Sequence, residues 1–167
     1  MSVRITKDQV PLLLQAIEGL TRQQVLVGIP GDVPARTAVA GKPPITNPVI
    51  GYLNEFGSPA ANIPARPFLQ PGVNNAIPAI IARLRAGAVK ALTFPVDPDV
   101  GTRTLMGVGL LAQNSVRAVI TGVIPPPLAA STLRARRTRK VAPRTGTVPL
   151  LDTGQLRRSI SFVIRPK

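Results

Sequence analysis

The sequence predicts an α+β fold: a small antiparallel or mixed β-sheet packed against two long helices, with long Pro-rich extended arms and loops. Two stretches, residues 71–92 and 102–121, repeat apolar side chains at helical spacing. Residues 25–29 and 160–164 are short runs rich in β-branched side chains. The 19 prolines and 14 glycines favour abundant loops. A chain of 167 residues suits a single domain with a real core.

The first element is a predicted helix over residues 8–20. Thr6 and Gln9 have the spacing of a capping box, in which each side chain bonds the backbone near the other. An apolar stripe follows, at Leu13, Ile17 and Leu20. Because Pro11 lies past the first helical position, a start nearer Gln9 is favoured.

The run 25–29 is predicted to be a buried strand, since Pro30 and Gly31 follow it as a turn signal. The segment from about 30 to 46 has little periodicity and is predicted to be an extended loop. At the other end of the chain, residues 160–164 alternate in strand fashion. We expect the two strands to pair and close the chain on itself.

A short helix and a stiff arm follow the loop. Asn47 can cap a helix, Pro48 suits its first turn, and Gly57 can end it in the left-handed conformation. Four prolines then keep residues 58–71 extended. One interpretation of this arm is a well-packed surface loop; the other is a strap that docks on a neighbouring subunit. Its predicted contact residues are Ile63, Pro64, Arg66, Pro67, Phe68 and Leu69.

The two long helices carry internal breakers. Pro78 predicts either a kink or a helix that starts near Ile77. Gly122 ends the second helix. Between the helices, Asp97 and Asp99 lie in a Pro-rich connector, which a solvated linker explains better than a metal site because a hard cation needs more oxygen ligands.

Charge is concentrated towards the C-terminus. The net charge is +14, from 21 basic and 7 acidic residues, which implies a polyanionic or acidic partner. We expect an exposed basic arm from about 123 to 149, in which one helical turn can form from Ser131. It is either a solvated loop or a surface for DNA phosphates or an acidic protein. Its candidate contact residues are Arg134, Arg136, Arg137, Arg139, Lys140 and Arg144.

A polar turn precedes the last strand, with Asp152, Thr153, Gly154 and Leu156 as its motif. Asp152 is predicted to cap a short helical turn, with Gln155 as its capping-box partner. Asp-Thr-Gly also occurs in aspartic proteases, which need a second Asp in an apolar cleft. Two arginines follow this motif at once, so a protease is disfavoured.

The composition limits the chemistry. With no Cys and no His, disulfides, thiolate or imidazole catalysis and Cys- or His-ligated zinc are excluded. We predict no enzyme activity and no cofactor. The N-terminal residues lack signal-peptide features, and no apolar run is long enough for a membrane span.

Two segments carry a resemblance to a known family. They are NEFGSPAANIPARPFLQPG, residues 54–72, and PLLDTGQLRRSISFVI, residues 149–164. Together they resemble the neck or tail-completion proteins of long-tailed bacteriophages, over about residues 25–165. The resemblance implies a virion structural protein that completes the tail and joins head to tail, after assembly in the host cytoplasm.

That family implies a ring of about six or twelve copies around the DNA channel, closed by head-to-tail interfaces. The implied partners are other copies of the chain, the adjoining connector and tail-tube proteins, and the end of the packaged double-stranded DNA, with no membrane. A tail terminator and a portal-side adaptor stay open as alternatives. A different class, a sequence-nonspecific nucleic-acid-binding protein, is favoured by the charge but lacks a recognisable motif and aromatic interleaving.

Overall fold

The structure is a computed structural model that describes residues 8–31, 45–140 and 143–167. About 57% of it is helical and 10% is strand, which confirms the α+β fold. In chain order the elements are α1 (Val10–Thr21), β1 (Gln23–Gly28), α2 (Asn47–Phe56), a 3₁₀ turn (Pro59–Ala61), α3 (Leu69–Ala91), α4 (Val100–Thr121), α5 (Ala130–Arg137), α6 (Gln155–Ser159) and β2 (Ser161–Pro166).

Contacts divide the described residues into two compact units. Unit 1 contains residues 8–27, 76–112 and 162–167. Unit 2 contains residues 28–31, 45–75, 113–140 and 143–161. The expectation of one domain stays a prediction.

The sheet of the described residues consists of β1 and β2, which pair antiparallel, so the predicted pairing of the two ends of the chain is confirmed. The Lys167 N–H also bonds the Arg22 carbonyl at 3.0 Å, beyond the end of β2. Phe162 of β2 packs onto α4 at Gly109, where a β-carbon would overlap its ring. A larger residue at Gly109 would therefore separate the sheet from the helix.

The core of unit 1 forms where α1 meets the connector between α3 and α4. Its buried members are Ala16, Ala91, Val96 and Val100, with Leu12, Leu13 and Leu20 packed against them. α1 begins at Val10 with Pro11 in its first turn, as the proline pattern favours. Thr6 lies outside the described residues; Asp8 Oδ1 accepts a bond from the Val10 N–H at 2.9 Å.

Both long helices are present. α3 begins at Leu69 and contains Pro78 within one continuous helix, so a start near Ile77 is wrong. α4 begins two residues earlier than predicted and ends before Gly122, whose N–H bonds the Ala118 carbonyl. None of the helices described is long and apolar enough to cross a membrane.

In unit 2, α2 ends at Phe56 because Gly57 takes a positive φ of 75°, a conformation that glycine adopts without strain. The predicted arm is less extended than expected. Ser58 and Ile63 exchange backbone hydrogen bonds around the 3₁₀ turn, and the last three arm residues already belong to α3. Most of the predicted 30–46 loop, residues 32–44, lies outside the described residues.

The predicted basic arm contains more regular structure than one turn. α5 spans eight residues, Ala130–Arg137, and begins after Ala129 without a side-chain cap. Ser131, where a single turn was expected to begin, is therefore the second residue of a two-turn helix. Residues 143–149 then return alongside α5, where the Arg144 N–H bonds the Arg136 carbonyl at 3.0 Å.

Candidate functional site

The residues predicted from the sequence to contact DNA or a neighbouring subunit, and those of the polar turn, all lie in unit 2. The two segments that carry the phage-neck resemblance meet there, because α2 contacts α6. A cavity of about 120 Å³ between them is lined by residues of both segments, including Asn54, Leu150 and Leu156. Leu156 itself is buried. Motifs about a hundred residues apart thus form one local structure.

Glu55 anchors the end of the Pro-rich arm. Its Oε2 accepts backbone hydrogen bonds from Phe68 and Leu69 at 2.8 and 2.9 Å, and its Oε1 accepts one from Gln70 at 3.1 Å. These N–H groups belong to the first turn of α3, where no intrahelical acceptor exists and the helix dipole is positive. The carboxylate therefore joins α2 to the start of α3.

Arg66 is buried, with 8% of its surface exposed. Its Nε and Nη2 donate to the carbonyl oxygens of Pro126 and Pro127 at 2.9 and 3.1 Å. The backbone N–H of Arg66 donates a hydrogen bond to the Asn54 carbonyl. Arg66 was predicted to contact a neighbouring subunit. In the structure its side chain instead binds the prolines that follow α4 in the same chain.

Phe68 is the largest side chain of the arm and is only 2% exposed, so it is buried within its own chain. Ile63 and Leu69 are half-buried, while Pro64 and Pro67 are exposed. The arm is therefore packed on its own chain through Phe68 and Arg66. A contact of the other four with a neighbouring subunit stays a prediction.

Arg136 corrects the expectation of a wholly exposed basic arm, because it is only 6% exposed. Its Nη1 donates to the carbonyls of Gly146 and Val148 at 3.1 and 3.0 Å, and its Nη2 to that of Pro149 at 3.0 Å. The guanidinium lies against the segment that returns alongside α5 and donates hydrogen bonds to the backbone carbonyls of that segment. Buried there, it cannot reach a phosphate outside.

Asp152 corrects a second expectation, because it caps no helix. Its Oδ2 accepts from Arg139 Nη2 at 2.9 Å, and its Oδ1 lies 3.8 and 3.9 Å from the Nε atoms of Arg136 and Arg144. One carboxylate therefore balances three of the six predicted phosphate-contacting residues. α6 begins instead after Gly154, at φ 75°, without a side-chain cap of its own.

The remaining residues of the turn have local roles. Thr153 Oγ1 accepts from the Gln155 N–H at 3.4 Å, and the Thr153 carbonyl accepts from Arg158 Nη2 at 3.3 Å. Three side chains of the predicted set face solvent with no hydrogen-bond or ion-pair partner in the part of the chain described: those of Arg134, Arg137 and Lys140. Arg157, which the sequence did not single out, is exposed in the same way.

An apolar surface completes the site. Tyr52 and Phe56 are 64% and 66% exposed, and their ring centroids lie 4.8 Å apart on α2. Beside them is a cavity of about 410 Å³ with Ile29 and Phe68 in its lining. Two of the chain's five aromatic rings therefore lie on one exposed helix face, and apolar surface of this kind is normally buried or covered by a partner.

The contacts that Glu55 and Arg66 make within the chain were not predicted from the sequence. A signal existed for Glu55, which is the only acid between Asp32 and Asp97 and stands thirteen residues before a proline-bounded helix start. No comparable signal marks Arg66, since its acceptors lie sixty residues away. Across residues 8–31, 45–140 and 143–167, no cluster of three or more acidic, His or Cys side chains is placed to hold a metal ion.

Comparison of the chain with protein-family models, with curated proteins and with solved structures yields no match.

Proposed function

We propose that the protein is a structural subunit of the phage neck, which completes the tail and joins head to tail as a ring around the DNA channel. The proposal starts from the resemblance of residues 54–72 and 149–164 to neck and tail-completion proteins. In unit 2 these segments meet where α2 contacts α6. Within the first segment Glu55 holds the start of α3, and Arg66 binds the carbonyl of Pro126. The polar side chains of Glu55 and Arg66 stabilise the fold through hydrogen bonds to backbone groups, as expected of a structural protein of the virion.

The observation that carries the proposal is the amount of apolar side chain exposed at helical spacing on single helices. On α2 these residues are Val49, Tyr52 and Phe56; on α1 they are Val10, Leu14 and Ile17; on α3, Ile77 and Ile81; on α4, Met106 and Leu110. Apolar surface of this extent favours a subunit whose faces become covered on assembly. Head-to-tail interfaces that use different faces close into a ring.

The exposed basic side chains of the 123–149 segment would give this ring a second binding surface, in addition to its apolar faces. Arg134, Arg137 and Lys140 have no carboxylate partner among the described residues, so their charge is available to a polyanion. In a neck they would face the channel and hold the end of the double-stranded DNA without sequence preference. The set is smaller than the sequence predicts, because Arg136, Arg139 and Arg144 serve the fold.

The proposed partners are other copies of the chain, in about six or twelve copies, together with the adjoining connector and tail-tube proteins. The site of action is the virion, after assembly in the host cytoplasm. A tail terminator or a portal-side adaptor would use the same surfaces. The second candidate class, a sequence-nonspecific nucleic-acid-binding protein, is favoured by the net charge of +14 and would need no assembly.

Self-association distinguishes the two classes. Sedimentation of the full chain should show a closed oligomer, and Tyr52→Ser with Phe56→Ser should shift it towards monomer because two exposed rings lose their apolar contact. The control is Phe94→Ser, also an exposed ring, which lies on the connector after α3. A chain that stays monomeric at high concentration yet binds DNA tightly would replace the neck proposal with the nucleic-acid-binding one.

A further inference from the structure

We propose that unit 1 carries a binding pocket for phosphate groups, separate from every residue discussed so far as a DNA contact. The pocket has a volume of about 570 Å³ and lies between the second half of α3 and the start of α4. Its lining includes the basic residues Arg83, Lys90 and Arg103. This proposal does not depend on the neck function.

Helix geometry brings the basic side chains together. Arg83 and Lys90 are seven residues apart on α3, so they share one face of that helix, with Gly87 between them. At Gly107 the absence of a β-carbon gives room for the Arg83 guanidinium, which lies over the α4 backbone. At Gly87 the same absence admits the side chain of Thr104, so the two helices approach closely beneath the pocket.

The charges lining the pocket are unbalanced. The carboxylate in its lining is that of Asp97, which is already paired with Arg103. Arg83 and Lys90 have no ion-pair partner among the described residues. Two uncompensated cations in one concavity attract an anion more strongly than the same charges spread over a flat surface, because low-dielectric walls focus the field.

The geometry favours phosphate. A guanidinium fork bonds two phosphate oxygens at once, and an ammonium adds a point charge to a third. Val100, the first residue of α4, also lines the pocket, but its N–H already bonds the Asp97 carbonyl at 3.2 Å, so the site depends on the basic side chains. Phe94 stands at the rim with its ring exposed and offers a stacking face for a base.

Two sources supply this chemistry, a nucleic-acid backbone and a free nucleotide. The test titrates the full chain with pyrophosphate, with ADP and with a short single-stranded DNA oligonucleotide, at low ionic strength, by calorimetry. The variant Arg83→Gln with Lys90→Gln removes the two unpaired cations. The matched control, Arg85→Gln with Arg165→Gln, removes the same charge from exposed positions of unit 1 outside the pocket.

We expect at least one probe to bind and its affinity to fall about tenfold in the pocket variant, equivalent to roughly 1.4 kcal/mol. The control should stay within about twofold of the unchanged protein. If the pocket variant loses affinity for DNA alone, the ligand is a nucleic-acid backbone. If it loses affinity for pyrophosphate or ADP, the ligand is a free nucleotide. Both results support the pocket.

Citrate is titrated in parallel as an anion without phosphate. Three results would overturn the proposal: no binding of any phosphate probe, an equal loss in variant and control, or binding of citrate as tight as that of pyrophosphate. Thermal melting checks that each variant is folded. If the double variant unfolds, Lys90→Gln alone replaces it, because this side chain is exposed and its loss should still weaken binding about threefold.

Discussion

The Glu55 carboxylate lies 2.8 Å from the backbone nitrogen of Phe68, thirteen residues further along the chain. This bond, with its two neighbours on Leu69 and Gln70, closes the Pro-rich arm into a loop whose ends are fixed. The same contact holds the backbone at Phe68, whose ring is buried. The arm of unit 2 is therefore held in place by contacts within its own chain.

Replacing Glu55 with Ala should lower the free energy of unfolding by about 1–2 kcal/mol, because the first-turn N–H groups of α3 lose their acceptor. Urea denaturation of the full chain measures the change. The matched control is Glu18→Ala, which removes an exposed carboxylate paired with Arg22 on α1 and should cost about 0.5 kcal/mol or less. Equal costs for the two variants would contradict the capping role.

Phe68→Ala should cost about 3–5 kcal/mol, because the ring is buried and the residues around it cannot collapse into the space. Phe56→Ala is the control: it removes the same side chain from an exposed position and should change the stability of the monomer by about 0.5 kcal/mol or less. Melting temperatures at low protein concentration give both values. An unchanged melting temperature for Phe68→Ala would refute the burial.

Arg136 and Arg137 are adjacent and chemically identical, yet they should behave differently. Arg136→Ala should destabilise the chain by about 2–3 kcal/mol, since three carbonyl oxygens lose a charged donor. Arg137→Ala removes an exposed side chain and should leave stability within about 0.5 kcal/mol. The comparison needs only denaturation curves, and similar curves for the two variants would place Arg136 at the surface.

The triple variant Arg134→Ala, Arg137→Ala and Lys140→Ala should fold normally and bind DNA more weakly. Each lost phosphate contact should reduce the slope of log affinity against log salt by about 0.9, so the slope should fall by up to about 2.7. Fluorescence anisotropy with a labelled duplex at several salt concentrations measures the slope. An unchanged slope would show that these residues do not contact DNA.

Much of the fold follows from local patterns. Strand alternation near Ile160 and the β-branched run near Val25 predicted the pairing of β1 with β2, and Gly57 predicted the end of α2. These features depend on side-chain spacing or backbone preference within a few residues. Such signals are visible in one sequence.

The burial of charged residues could not be predicted in the same way. Arg136 resembles its neighbours in sequence, and its burial depends on carbonyls that a returning loop supplies ten to thirteen residues later. Asp152 looked like a helix cap because its spacing to Gln155 fits one, but the charge of Arg139 competes for its carboxylate more strongly than backbone N–H groups do. The burial of Arg136 and the ion pairs of Asp152 both depend on residues distant in sequence, which a local pattern does not reveal.

Electron microscopy of particles from a phage that lacks this gene tests the proposed joining of tails to heads. We expect filled heads beside separate tails of normal length, and whole particles again when the gene is supplied in trans. Overlong tails would identify a terminator, and empty heads a portal-side role. Complete, infectious particles without the gene would contradict the claim.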